Sequence, residues 1–76
     1  MPHSSQASDL GITENITERE LEVLRLMAQG ATNQTIAEQL VVTVGTVKSH
    51  INHILRKLNA QNRTEAVAQA RRLDLV

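Results

Sequence analysis

The chain has 76 residues, with no cysteine and no phenylalanine, tyrosine or tryptophan. That length builds one small domain with a modest core and not two, and the missing thiols exclude a disulfide framework and a thiolate metal site. The net charge is zero, yet positions 1–40 hold two bases against six acids, a balance of −4, and positions 41–76 hold six bases against two acids, a balance of +4.

The opening MPHSSQASD lacks the apolar stretch of a signal peptide, and no run of about 18 apolar residues exists to span a membrane, so the reading is a cytoplasmic protein with no membrane partner. Residues 1–15 are polar and without helical period, which reads as a flexible tail or linker stub, with the folded domain over 16–76. Met1 fits either a natural start or a truncation point; in the second case a regulatory domain lies upstream.

The first helix has an explicit start. Thr17 and Glu20 stand at capping-box spacing, and Ile16 and Leu21 occupy the two positions of a hydrophobic staple. Leu21, Val23, Leu24, Leu26, Met27 and Ala28 cover more than half of this helix, leaving Glu18, Glu22, Arg25 and Gln29 as its solvent stripe. Gly30 supplies a left-handed stop.

A short second helix starts after Thr32 as N-cap and runs to about Leu40, with Ile36, Ala37 and Leu40 inward. Val41 and Val42 bridge to Thr43, whose hydroxyl caps the third helix. So tight a connection between two short helices forms a helix-turn-helix. The third helix, TVGTVKSHINHILRKL from Thr43 to Leu58, has two unlike faces. Val44, Val47, Ile51, Ile54, Leu55 and Leu58 form an apolar arc assigned to the core. Gly45, Lys48, Ser49, Asn52, His53 and Arg56 form the opposite face, which carries donors and cations and no carboxylate. Between Glu38 and Glu65 there is no acid at all, so this face has a positive local field suited to a polyanion. The absence of aromatic stacking platforms favours duplex over single strands.

Asn59 stands where a left-handed residue ends the third helix. Asn62 and Glu65 repeat the capping spacing and begin a fourth helix, with Ala66, Val67, Ala70 and Leu73 on one side and small residues that permit close approach. The expected architecture is all-α: a four-helix domain containing a helix-turn-helix in helices 2 and 3.

These segments resemble the LuxR-type (GerE-type) DNA-binding domain found at the C-terminus of many bacterial regulators. ITERELEVLRLMAQG resembles the family's first helix and glycine stop, ATNQTIAEQL its scaffold helix, VTVGTVKSHINHILRKL its recognition helix and NRTEAVAQARRL its last helix. The resemblance implies that helix 3 enters the major groove of double-stranded DNA and that helix 4 pairs two copies as a homodimer. It implies base contacts from Lys48, Ser49 and Asn52, and backbone contacts from Asn33, Gln34, Thr46 and Arg56, with His53 added from its place on the same face. The dimer interface would fall on Ala66, Val67, Ala70 and Arg71. Two positions depart from the family: Asn59 stands where Gly is frequent, and Asn52 where several members carry Lys or Arg. Asn tends toward adenine whereas Lys and Arg favour guanine, so the base preference at Asn52 is open.

The bland readings differ in weight. Thr46 is as well explained by a first-turn position as by phosphate contact, and Gly45 either allows close approach to DNA or is neutral. His50 and His53 are three apart, but no third ligand accompanies them, and a metal or other cofactor is not expected. His50 reads as a packed residue. Glu18, Glu20 and Glu22 offer no catalytic carboxylate pair, so neither an enzyme nor a small-molecule substrate is expected. Arg71 and Arg72 offset the dipole of helix 4. Two rivals to duplex DNA binding are a helical protein-interaction module using helix 4 and the exposed part of helix 1, and a double-stranded RNA binder.

Overall fold

A computed structural model describes residues 16–76, so the expectation of a tail over 1–15 lies outside the described residues. The described chain is four α-helices: α1 Glu18–Ala28, α2 Asn33–Leu40, α3 Val44–Lys57 and α4 Arg63–Arg72. Each follows the N-cap read from the sequence. The side chains of Thr17, Thr32, Thr43 and Asn62 accept from the backbone N–H groups of Glu20, Thr35, Thr46 and Glu65, satisfying donors that a helix start leaves without an internal acceptor. At α1 the box is reciprocal, because Glu20 Oε1 accepts from the Thr17 N–H at 3.1 Å. At α4 the return bond is shifted by one residue, with Glu65 Oε1 accepting from the Gln61 N–H.

All four helices stop in the same way. A residue with positive φ follows the last turn, and the next residue's N–H reaches back to a carbonyl five positions earlier: Ala31 to Leu26, Val42 to Ala37, Ala60 to Leu55 and Leu75 to Ala70. The left-handed residues are Gly30, Val41, Asn59 and Asp74. Glycine and asparagine suit this region. Valine does not, because its branched Cβ crowds the following carbonyl, so the turn between α2 and α3 carries local strain.

The core is aliphatic. Val23, Leu24 and Met27 of α1 meet Ile36 and Ala37 of α2, Val47, Ile51 and Ile54 of α3 with Leu58 at its end, and Ala66 and Ala70 of α4. Both α1 and α3 pack against all the other helices, while α2 and α4 stand on either side of them and barely meet. Ile16 and Leu21 flank this core as the staple requires. One core assignment needs correcting. Periodicity puts Val44 in the apolar arc, but it is 36% exposed, whereas Val47 is fully buried. Periodicity sets the direction of a side chain around the axis, but not where along it the packing partners end. The seam begins at Val47.

Candidate nucleic-acid interface

The site is built on α3, whose inner face is fixed by Val47, Ile51, Ile54 and Leu58 in the core. Lys48, Ser49, Asn52, His53 and Arg56 are all exposed on its outer side, so the helix period gathers onto one face the residues that the sequence selects. No acid lies on α3. Its first turn carries no negative charge, and Arg56 and Lys57 stand in its last turn, where cations oppose the negative end of the helix dipole.

The start of α3 is held by paired threonines. Thr43 Oγ1 accepts from the Thr46 N–H at 3.1 Å, and the two hydroxyl oxygens are 3.0 Å apart. Thr46 is therefore oriented by Thr43 while remaining exposed. The same device starts α2, where the Thr32 hydroxyl donates to Thr35 Oγ1 at 3.1 Å. At Gly45 an added Cβ would meet only Thr43 Oγ1, at 3.8 Å. Nothing inside the fold requires glycine there.

Asn33 and Gln34 open α2, Gln34 exposed and Asn33 half-buried. Asn33 is positioned by a residue that sequence reasoning did not single out. Arg63 Nη1 donates to Asn33 Oδ1 at 2.7 Å, and Arg63 Nη2 donates to the Ala31 carbonyl. A guanidinium is only a donor, so the carboxamide oxygen must face it and the NH2 must face away. The Asn33 NH2 group supplies two further N–H donors, which suits a phosphate contact.

His53 and Lys57 both approach Glu20. Lys57 Nζ donates to Glu20 Oε1 at 2.7 Å, and His53 Nδ1 lies 3.9 Å from Oε2. The Glu20 side chain is 5% exposed. Burial by itself pushes its carboxyl up, but the Lys57 hydrogen bond, the Thr17 N–H and the charges of Lys57 and His53 together outweigh burial and hold it below the ordinary value. The only acid against α3 in this cluster is therefore buried and paired, and does not interrupt the basic outer face. No local sequence signal links positions 20 and 57. His50 is half-buried, as a packed residue should be.

The face assigned to dimerisation is redrawn. Ala66 and Ala70 are fully buried in the core of their own chain, because these small residues let α4 close onto α1 and α3. Val67 is half-buried and Arg71 exposed, and both line a shallow open groove with Met27, Ala28, Gly30 and Thr64. Arg71 Nη2 also donates to the Ala28 carbonyl at 3.2 Å, so it caps the end of α1 as well as sitting in the last turn of α4. Among the described residues no group of three or more His, Asp or Glu side chains is placed to hold a metal, and no helix is long and apolar enough to cross a membrane.

Comparison with known proteins agrees with this geometry. Residues 14–70 match the family described as GerE, "Bacterial regulatory proteins, luxR family". The chain is 51% identical over 63 residues to the transcriptional regulatory protein LiaR of Bacillus subtilis, covering 83% of this chain and 30% of that protein. It is 48% identical over 63 residues to the response regulator protein VraR of Staphylococcus aureus, with the same coverage. A crystal structure of the response regulator ChrA of a heme-sensing two-component system superposes with a TM-score of 0.78 at 39% identity, over 80% of this chain and 30% of that one. The chain thus spans about 30% of the length of these relatives. Its four helices and the positions matched place it in that part of them: the chain belongs to the luxR family of bacterial regulatory proteins, as a helix-turn-helix DNA-binding domain.

Proposed function

We propose that the chain reads a specific duplex DNA sequence for a bacterial transcriptional regulator, with α3 in the major groove. The observation that carries this reading is the outer face of α3, where Lys48, Ser49, Asn52, His53 and Arg56 are exposed with no acid among them. Lys48, Ser49 and Asn52 read base edges. Arg56 and His53 lie toward the flanking phosphates, joined by Thr46 at the start of α3 and by Asn33 and Gln34 at the start of α2, where free helix-terminal amides favour anions. Phosphate contacts set position and salt dependence, and base contacts set sequence.

Two copies bind an inverted repeat, since a single small domain offers few contacts and a second one adds affinity by raising the effective concentration. With Ala66 and Ala70 inside the core, the paired surface is the outer strip of α4 around Val67 and Arg71. The protein would act in the cytoplasm, beside the chromosome, without enzymatic activity of its own. Sedimentation on a palindromic duplex gives two chains per site; one chain per site contradicts the pairing.

Titration of a labelled duplex selected from a random pool tests the function. Binding should weaken with salt, log affinity falling by about 0.9 per phosphate neutralised for each unit of log salt. Lys48→Ala should cost roughly five-fold to a hundred-fold, the range of a bidentate base contact. Absence of binding at low salt, or binding indifferent to Lys48→Ala, contradicts the reading. Equal affinity for an RNA duplex contradicts it too, because the deep, narrow A-form major groove does not admit a helix.

A further inference from the structure

The large apolar side chains left exposed among the described residues are Val41, at 87%, and Val44, at 36%. They bracket Thr43, the N-cap of α3. Val41 occupies the left-handed position of the turn, and Val44 lies outside the core cluster, whose α3 members begin at Val47. Val44 is the first residue of α3 and precedes Lys48 by four. The two therefore lie about one turn apart and about 40° around the axis, with Val44 standing between the strip of Lys48 and the inward strip of Ile51.

A helix-turn-helix meets base edges mainly with the N-terminal part of its second helix, the part to which Val44 belongs. The major-groove edges of the four bases are hydrogen-bond donors and acceptors with one exception, the 5-methyl group of thymine. An isopropyl group pressed against an amino or carbonyl edge strips water from it without replacing the hydrogen bond, which is unfavourable. Against a methyl group the same contact removes apolar surface from water on both sides. Resting on the reading of α3 as the major-groove helix, we propose that Val44 is a base-reading residue that contacts the 5-methyl group of a thymine beside the base read by Lys48. The half-site would then be read by two chemistries on one helix, donors from Lys48, Ser49 and Asn52 and an apolar contact from Val44.

Replacing each thymine of the selected duplex in turn by deoxyuridine deletes one methyl group and leaves base pairing unchanged. For the unsubstituted protein, one thymine per half-site should be sensitive, deoxyuridine lowering affinity about four-fold, the effect of one buried methyl group. Val44→Ser, whose side chain is at the surface and whose thermal unfolding should be near that of the parent, should bind the thymine and deoxyuridine duplexes equally. Indifference of the parent protein to deoxyuridine at every thymine overturns the proposal, and so does a Val44→Ser variant that keeps the parent's sensitivity. Failure to bind any selected duplex is a different result, and overturns the major-groove reading together with this proposal.

Discussion

The Lys57 ammonium sits 2.7 Å from a Glu20 carboxylate oxygen, joining the last turn of α3 to the first turn of α1 across 37 positions of sequence. The same oxygen accepts from the Thr17 N–H, so one carboxylate closes the capping box of α1 and anchors α3 to it. Glu20 is nearly buried, while the Lys57 side chain keeps 29% exposure. The pair is neither a screened surface contact nor a fully desolvated one.

Removing the carboxylate leaves the Thr17 N–H without its acceptor and takes from the Lys57 ammonium its carboxylate partner at 2.7 Å. Glu20→Ala should destabilise the domain by about 2 kcal/mol. Glu20→Gln keeps the capping geometry and loses only the charge, so it should cost less. Urea unfolding followed by circular dichroism orders the two variants, and equal losses would show that the cap contributes nothing beyond the ion pair.

The depressed Glu20 carboxyl also fixes the sign of a pH dependence. Its folded value lies below its unfolded one, so the unfolded chain takes up the proton first as pH falls. The contribution is fully present above the unfolded value and is lost as pH drops through the folded value. Stability measured between about pH 6 and pH 3 should therefore fall, and Glu20→Gln should flatten part of that slope. A variant slope as steep as the parent's would place the pH dependence on other groups.

Val41 holds a left-handed conformation, φ 58°, with its side chain almost fully in solvent. A left-handed residue with a Cβ costs about 1–2 kcal/mol, and asparagine bears this better than valine. Val41→Asn should therefore stabilise the fold by up to about 1 kcal/mol, raising the melting temperature by roughly 4–8 °C for a domain of this size. A lower melting temperature would mean that Val41 makes a contact worth more than its strain.

Gly45 has open space around its missing Cβ. Within the fold, Gly45→Ala should be neutral or stabilising by a few tenths of a kcal/mol, because alanine is the better helix former. Toward DNA the same methyl group obstructs close approach of the start of α3, so the affinity should fall. Thermal melting and duplex titration on one preparation check both signs. A variant that is more stable and binds equally well would show that this backbone stays clear of the duplex.

Helix positions were legible because their signals are local. Thr17, Thr32, Thr43 and Asn62 cap within three residues, and Gly30 and Asn59 end their helices in the left-handed region. The outer face of α3 was legible for the same reason, since one period fixes which side chains share a side. Burial along the axis was not: Val44 has the direction of a core residue but lies beyond the packing partners. Pattern also could not tell which neighbour receives a small-residue face, so Ala66 and Ala70 read as a surface for a second copy although they seat α4 on its own domain. Val41 had no signal at all, because a β-branched residue is the least expected occupant of a left-handed stop. The contacts of Arg63 to Asn33 and of Lys57 to Glu20 depend on the fold being complete. Such pairs carry no short-range signature.

The central claim is that the outer face of α3 is the surface that meets the duplex. Backbone amide chemical shifts of labelled protein, followed during titration with the selected duplex, test it most directly. The account predicts that the largest changes fall on Gly45, Lys48, Ser49, Asn52 and Arg56, with smaller ones at Asn33 and Gln34. Changes concentrated instead on the groove between α1 and α4, around Ala28, Val67 and Arg71, with α3 unaffected, would contradict it.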